Sequence, residues 1–391
     1  GCECPTAAEA NIVIDCYNPV CFDRACVAGQ TYPLARDLSA PFAVALTREG
    51  HFLSGFLQPG ASDDQPKLMM IEPYQPGKIP IIFIHGLLSD PQTWASLGNE
   101  IQANPVIMQN YQLWAFRYPT GEQFLNSAAT FRRMLNETIE RLDPCHCDPA
   151  LSQIVLVGHS MGGLIAKLQI TESGDTLWRS IANRPIEQLN ATPEVYGQLV
   201  EMFYFSPSPY VKRVVFIGTP HRGSSVATRA VGRLGSRLVN TSKVDSRHGQ
   251  LIASNPGVFY DDYAGRPPTS IDLLEPDSPI LNAMEQLPLN PEVHLHTILG
   301  VGHCMPFEGT TGDGVVSISS ARHPCAETER RVQAEHEKIH DKTATVSEVT
   351  CILMQHLQQY FCTAMPSTAP CPMAAGFAGE SHCDRNSQLL Y

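Results

Sequence analysis

Residues 158–162 read Gly-His-Ser-Met-Gly, so Ser160 lies at the centre of a G-x-S-x-G pattern. The apolar run 153–157 comes directly before it, and a stretch that can form a helix follows. In this context the pattern makes a sharp turn that exposes the serine Oγ at the carboxyl end of a strand. A Cβ at either glycine would collide with the neighbouring helix or strand. The sequence therefore predicts a strand–turn–helix unit with Ser160 as a candidate nucleophile. The alternative is a serine that only caps the helix.

A serine nucleophile also needs hydrogen-bond donors for the oxyanion that develops during attack. Residues 79–84 form a short apolar run typical of a buried parallel strand, and His85, Gly86 and Leu87 follow it. Gly86 lets the chain cross the strand ends, so the backbone N–H groups of Leu87 and Met161 are the candidate donors. His85 resembles a base, but we expect it to hydrogen-bond within its own loop.

The acid and the base should follow the serine in the order Ser, Asp or Glu, His. In the glycine-rich loop 309–316, Asp313 has a glycine on each side, which lets its carboxylate turn towards an imidazole. An ordinary Asx turn is the alternative. Residues 330–335 are interpreted as a final short strand, with His336 at the end where a doubly wound sheet collects functional residues. His340 is the alternative base.

Residues 336–340, His-Glu-Lys-Ile-His, also match H-E-x-x-H, the signature of zinc proteases. That chemistry needs both histidines on one face of a helix and a third ligand. The preceding residues 328–333 have no apolar stripe that would bury such a helix, and the nearest third ligands, Glu348 and His356, lie at no characteristic spacing. Zinc binding therefore remains a minor alternative, and we expect neither a metal nor an organic cofactor.

Five segments together resemble the α/β-hydrolase fold family in its lipase and esterase branch, and more narrowly bacterial exported hydrolases of lipoprotein type. The resemblance extends over residues 40–360, and its segments are 74–87, 111–121, 157–163, 218–224 and 313–316. It implies an α/β fold with a mostly parallel central sheet, flanking helices and inserted cap segments. The abundance of cysteine departs from that branch.

Carried over residue by residue, the resemblance implies Ser160 as nucleophile, Asp313 as acid and His336 as base, with Leu87 and Met161 as oxyanion donors. It implies hydrolysis of a carboxylic ester, lipid-like substrates included, through an acyl-enzyme. Two alternatives stay open. One is an amidase or peptidase with the same triad, and the other is a non-catalytic α/β-hydrolase scaffold for protein interaction.

The chain of 391 residues is 43% hydrophobic, enough for a large core. We expect one hydrolase domain over 40–362, a cysteine-rich extension at 1–39 and a tail at 363–391. Insertions near 171–210 and 224–290 should form a cap above the serine. The predicted elements are opening antiparallel strands at 51–58 and 67–74, central strands at 79–84, 111–118, 153–157, 211–218, 293–300 and 330–335, and a closing helix at 346–360.

The net charge of −12 and the lack of a basic cluster argue against nucleic-acid binding. No apolar run approaches about 18 residues, so no spanning helix is expected. Thirteen cysteines indicate an oxidising compartment with disulfides, as in a secreted or bacterial envelope protein. The first residues, Gly1-Cys2, resemble the end of a bacterial lipobox. Acylated Cys2 would tether the protein to a membrane.

Overall fold

The computed structural model describes residues 17, 24–34, 65–226, 242–265, 268–305 and 309–364. The chain divides into two compact units, Gly1–Asp37 and Leu38–Tyr391. In the first unit, strands β1 (Arg24–Val27) and β2 (Gln30–Pro33) pair antiparallel as a hairpin. The predicted strand at 51–58 lies outside the described residues.

A mostly parallel sheet forms the centre of the second unit. Its seven described strands are β3 (Lys67–Met70), β4 (Ile79–Ile84), β5 (Tyr111–Arg117), β6 (Ile154–His159), β7 (Val211–Ile217), β8 (His294–Val301) and β11 (Thr328–Gln333). Two further short strands, β9 (His303–Cys304) and β10 (Thr311–Gly312), pair with each other outside this sheet. The order across the sheet is β11-β8-β7-β6-β4-β5-β3, and only β3 runs antiparallel among these seven strands. The predicted α/β fold with a mostly parallel central sheet is confirmed.

Helices cover both faces of this sheet. The described helices are α1 (Ala95–Gln102), α2 (Pro105–Asn110), α3 (Phe124–Leu142), α4 (Met161–Lys167), α5 (Thr176–Arg179), α6 (Pro193–Phe203), α7 (Ser242–Ser254), α8 (Asp261–Ala264), α9 (Ser270–Leu273), α10 (Pro279–Gln286), α11 (Ile318–Ala321) and α12 (Thr343–Ala364). The side chains of α1 and α12 share one core cluster with the sheet, and those of α3 and α4 share the other. None of the described helices combines the length and apolar character needed to cross a bilayer.

Apolar spacing explains how α3 binds the sheet. Ala128, Phe131, Leu135 and Ile139 repeat at helical intervals, and all four are buried in the core cluster on that face. The Phe131 ring packs against Phe116 of β5 with 4.8 Å between centroids. The predicted covering helix therefore serves core packing.

The insertions at 171–210 and 224–290 pack their aromatic side chains on one another. Trp178 of α5 meets Phe203 of α6 edge to face, with 5.5 Å between the ring centroids, and it meets Phe259 in the same way at 5.8 Å. Trp178 and Phe203 are fully buried, whereas Tyr260 is 46% exposed. The buried aromatic residues form a shared core of the two insertions.

The cysteines that the structure describes include five free thiols: Cys26, Cys145, Cys147, Cys304 and Cys325. The predicted disulfides therefore find no support at these positions. Six others, Cys2 among them, lie outside the described residues, as does the predicted tail beyond residue 364. Lipidation of Cys2 stays a prediction.

Helix α4 approaches the sheet so closely that two positions of its first turn, Gly162 and Gly163, have no room for a Cβ. A Cβ on Gly162 would lie 2.2 Å from the carbonyl oxygen of Ile84, and one on Gly163 would lie 1.9 Å from Thr219 Oγ1. A Cβ on Gly158, at the end of β6, would lie 2.6 Å from the oxygen of Gly162. Since backbone atoms cannot rotate away as a side chain can, contact distance requires glycine at positions 158 and 162, and at 163 the Thr219 Cβ itself would lie only 2.8 Å from the new Cβ.

We expect Gly162→Ala to lower the free energy of unfolding by about 1–3 kcal/mol, because the new methyl group overpacks against the backbone of β4. The matched control is Gly197→Ala in α6, where an added Cβ meets nothing within 4 Å. That exposed change should stabilise the protein by about 1 kcal/mol through helix propensity. Urea unfolding measures both changes, and equal effects would contradict the close approach of α4.

Candidate active site

Ser160 occupies the turn between β6 and α4 in a strained backbone conformation. Its φ is 52° and its ψ is −126°, a left-handed φ that costs a non-glycine residue about 1–3 kcal/mol. The serine is buried except for 8% of its surface, and its backbone N–H donates to the carbonyl of Ile217 in β7 at 2.9 Å. This geometry is the strand–turn–helix expected of G-x-S-x-G.

Asp313 and His336 form a buried hydrogen-bonded pair. The distance between Asp313 Oδ2 and His336 Nδ1 is 2.7 Å, and the residues are 2% and 4% exposed. The backbone N–H of His336 also donates to the carbonyl of Asp313 at 3.0 Å. Two residues that are 23 positions apart in the sequence are thus connected by one hydrogen bond between side chains and one between main-chain groups.

The second carboxylate oxygen of Asp313 holds its own loop. Asp313 Oδ1 accepts hydrogen bonds from the backbone N–H groups of Val315 at 2.9 Å and Val316 at 2.6 Å. The Asx-type turn considered from the sequence is therefore present together with the histidine contact. One oxygen fixes the position of the carboxylate, and the other is left to orient the imidazole.

Gly218, at the carboxyl end of β7, connects this pair with the serine turn. A Cβ on Gly218 would lie 3.3 Å from Asp313 Oδ2 and 3.4 Å from His336 Cε1. The preceding Ile217 accepts the N–H of Ser160. The three predicted residues are therefore grouped at the carboxyl edge of neighbouring strands, where a doubly wound sheet presents functional groups.

The surroundings of His336 favour its protonated form. Burial alone lowers the pKa of the imidazole, but the hydrogen bond to Asp313 and the charges of Asp313 and Glu337 raise it, with a net pKa above 6.5. Because Nδ1 is bonded to the carboxylate, Nε2 is the nitrogen left for proton exchange.

His159, which sequence reasoning passed over, fixes the other side of His336. Its Nε2 lies 3.0 Å from the carbonyl oxygen of His336, and the two rings are 4.8 Å apart. Burial first, and then the charges of His336 and His340, hold the pKa of His159 well below 6.5. The neutral ring carries its hydrogen on one nitrogen only, and Nε2 is the nitrogen that donates to the His336 carbonyl. His159 thus holds the main chain of His336, and its place beside Ser160 in the sequence was the only signal.

The loop after β4 brings the predicted oxyanion donors towards the serine. A Cβ on Gly86 would lie 2.9 Å from the Cβ of Ser160, so only glycine allows this approach. Among the described residues, no hydrogen-bond acceptor is recorded for the backbone N–H of Leu87 or Met161. Two free donors near a nucleophile are what an oxyanion site requires.

His85 hydrogen-bonds within this loop, as expected. Its Nε2 accepts the N–H of Tyr118 at 3.4 Å, which leaves Nδ1 to donate to the carbonyl of Gly86 at 3.0 Å. The Tyr118 hydroxyl donates to the His85 carbonyl at 2.7 Å, and the two rings stack. In a trans peptide the C=O and N–H groups point in opposite directions. By holding the Gly86 carbonyl, His85 therefore fixes the direction of the Leu87 N–H.

His340 contacts a carboxylate only through the ring nitrogen that also bonds a threonine, so it has no nitrogen placed for proton exchange with a substrate. Its Nε2 contacts Thr93 Oγ1 at 2.9 Å and Asp341 Oδ1 at 3.4 Å, while its Nδ1 is buried with no partner among the described residues. The zinc alternative also lacks its helix, because His336–Lys338 is a single 3₁₀ turn. His336 is already bonded to Asp313, so the geometry does not favour a His336–His340 metal site.

A separate set of metal-type ligands lies before β6, at the edge of the sheet opposite Ser160. Asp143, Cys145 and Cys147 hold their ligand atoms within 4.8 Å of one another, and no other such group occurs in the described part of the chain. Asp143 supplies a third ligand that the Cys145-His146-Cys147 sequence did not reveal. Its carboxylate already accepts the backbone N–H groups of Cys147 and Asp148 at 2.9 and 2.8 Å, so it also serves as a turn residue.

One family model matches part of this chain. A family model described as a PGAP1-like alpha/beta domain matches residues 75–189, which include the loop after β4 and the serine turn. No curated protein matches the chain significantly.

Solved structures similar to this chain include bacterial lipases at low identity. The mature lipase BlEst2 of Bacillus licheniformis is 16% identical, with 75% of this chain and 97% of that one covered and a TM-score of 0.41. The Staphylococcus hyicus lipase is 15% identical, with 74% and 97% covered and a TM-score of 0.43. Lipase 1 from Pelosinus fermentans is 12% identical, with 72% and 98% covered and a TM-score of 0.42.

In the α/β-hydrolase fold, a mostly parallel sheet carries a serine turn after one central strand. An acid and a histidine follow later strands. This chain has that fold.

Proposed function

We propose that this protein is a serine hydrolase that cleaves carboxylic esters through a Ser160–His336–Asp313 triad. The observation that carries the proposal is the buried 2.7 Å contact between His336 and Asp313, next to a serine held at positive φ. A serine that only capped a helix would need neither the strained backbone nor a carboxylate-bound imidazole beside it.

In the proposed reaction, His336 Nε2 takes the proton of Ser160 Oγ as the oxygen attacks the ester carbonyl. The backbone N–H groups of Leu87 and Met161 hydrogen-bond the resulting oxyanion. His336 then gives its proton to the leaving alcohol, and an acyl-enzyme forms. Asp313 holds the imidazole in the required tautomer and stabilises its cationic form. Water activated by His336 releases the acid and restores the serine.

The rest of the site would hold these groups in place before substrate arrives. The main chain of His336 is held at both ends, with its N–H on Asp313 and its carbonyl on His159. His85 and Tyr118 hold the loop that carries Leu87. Preorganised donors stabilise a transition state without having to reorient during the reaction. The substrate class proposed is a carboxylic ester, with lipid-like esters included.

We expect Ser160→Ala to lower kcat for p-nitrophenyl butyrate by roughly 10⁴-fold or more, because the acyl-enzyme can no longer form. The matched control is Ser180→Ala, whose hydroxyl bonds only a helix carbonyl, that of Leu177. It should retain nearly full activity. Equal rates for wild type and Ser160→Ala would overturn the proposed nucleophile.

The pH profile should follow the titration of His336. The base must be neutral in the free enzyme, so kcat/KM should rise with pH through a pKa above 6.5. Asp313→Asn removes the hydrogen bond and charge that raise this pKa, so the inflection should move to lower pH and kcat should fall by roughly 10⁴-fold. A profile whose midpoint is the same in Asp313→Asn and wild type would contradict the pairing.

His85 should affect kcat more than KM, because it orients an oxyanion donor and has no proposed proton-transfer role. We expect His85→Leu to lower kcat by about 10- to 100-fold. Complete loss of an oxyanion donor lowers kcat by a similar or larger factor. His85→Asn places an amide N–H where Nδ1–H was and should restore most of the rate. Burial lowers the pKa of His85 to about 4, so the effect should not vary with pH above 6. Failure of Asn to rescue would argue against the positioning role.

A further inference from the structure

A cavity of about 340 Å³ lies at the C-terminal end of α4, away from the serine at the other end of that helix. Lys167 forms one wall, and residues after β7, at the end of and after α10, and after α11 form the others. Ser160, Asp313 and His336 do not line it. This Lys167 cavity is therefore distinct from the candidate active site.

Of the three charged residues that line the cavity, Lys167, Arg222 and Glu285, Lys167 is the one without a partner in the described part of the chain. It is 4% exposed, and no hydrogen bond or ion pair of its ammonium group occurs among the described residues. Burial lowers its pKa to about 8, with a smaller opposing effect of the Glu285 charge, so it is still a cation at neutral pH. An unpaired buried charge is costly, and a counter-ion at the cavity wall would offset that cost.

The second cation of the cavity is already paired. Arg222 Nε lies 2.8 Å from Glu285 Oε1, and Arg222 Nη1 donates to the carbonyls of Ser319 at 2.7 Å and Arg322 at 3.2 Å. Glu285 thus balances its charge, and main-chain carbonyls accept hydrogen bonds from some of its guanidinium N–H groups. The cavity is left with one unmatched positive charge, that of Lys167.

Two imidazoles add neutral donors beside that charge. His221 is 2% exposed, and neither of its ring nitrogens has a partner among the described residues. His323 Nδ1 accepts the N–H of Cys325 at 3.2 Å, so its hydrogen is on Nε2. Burial, followed by the charge of Lys167, holds the pKa of His221 well below 6.5 and lowers that of His323 to about 4. Both rings are therefore neutral, and each carries one N–H.

We infer that the Lys167 cavity is a binding site for a small monocarboxylate. Its carboxylate would pair with Lys167 and accept hydrogen bonds from the imidazoles of His221 and His323. A short alkyl chain would pack on Leu287 and Leu289, which line the same cavity. One unmatched cation suits one negative charge, and the apolar wall favours an organic anion over an inorganic one.

The inference rests on the cavity alone and does not depend on the proposed esterase activity. Binding to the full chain is the readout, so a failure here would leave the function of Ser160 untouched. Isothermal titration with butyrate, 1-butanol and inorganic phosphate separates the contributions of the charge and the alkyl chain. We expect butyrate to bind, and 1-butanol and phosphate to bind at least about tenfold more weakly.

Lys167→Met keeps the length of the side chain and removes its charge. We expect butyrate to bind about 10- to 100-fold more weakly, the effect of a lost charge-assisted hydrogen bond. The matched control is Lys212→Met, whose ammonium pairs with Glu292 at the surface at 2.7 Å and which should bind as wild type does. Because Lys167 is unpaired and buried, the variant should be at least as stable as wild type, and thermal unfolding checks that it is folded.

Glu285→Gln provides a change in the opposite direction. It removes the carboxylate that opposes an incoming anion, so butyrate should bind several-fold more tightly. Unchanged butyrate affinity in both Lys167→Met and Glu285→Gln would overturn the inference. Three results with the wild-type protein would also overturn it. They are equal binding of 1-butanol, which would show an apolar cavity only, tighter binding of phosphate than of butyrate, and no binding of butyrate.

Discussion

The contact between the first turn of α4 and the sheet is the constraint on which the rest of the site depends. Gly162 and Gly163 bring the helix within van der Waals distance of β4 and of Thr219, and Ser160 makes the sharp turn into that helix with a positive φ. The cost of about 1–3 kcal/mol for that backbone must be met by the buried strands and helices on either side. The strain is therefore possible only in a well-packed sheet, which the fully buried β4, β5 and β6 provide.

Polar groups at the carboxyl edge of this sheet are then fixed by reciprocal hydrogen bonds. Asp313 uses one oxygen for its own loop and the other for His336, and His159 holds the carbonyl of His336. The bonds of Asp313 to Val316 and His336, and the bond between His159 and His336, are buried, so breaking one leaves a group without water to replace its partner. Within this network His159, whose pKa is held well below 6.5, packs against His336, whose pKa is raised.

Much of this architecture could be predicted from the sequence because it rests on local patterns. Apolar runs of strand length gave β4 to β7 to within about two residues, and G-x-S-x-G identified the turn at Ser160 because the pattern lies within five consecutive residues. The proximity of Asp313 to His336 followed from chain order and strand ends, and the structure brings these two together. Their catalytic roles remain predictions.

Contacts between residues distant in the chain were not accessible in this way. The bond from His159 to His336 spans 177 residues, and no periodicity indicates it. Asp143 is close to Cys145 and Cys147 in the chain, but only the turn after α3 brings its carboxylate to their thiols, and no sequence pattern indicates that turn geometry. Lys167 ends an otherwise ordinary helix, and its burial depends on segments more than fifty residues away. The cysteine count indicated disulfides, whereas five of the described cysteines are free thiols.

The most direct test of the central claim is to treat the purified protein with an alkylphosphonate and locate the adduct by peptide mass spectrometry, with and without a chelator. The account predicts one adduct, on Ser160, at the same yield in both samples, because the proposed nucleophile is activated by His336 and Asp313. An adduct on another residue, an adduct that the chelator abolishes, or no adduct on correctly folded protein would contradict it.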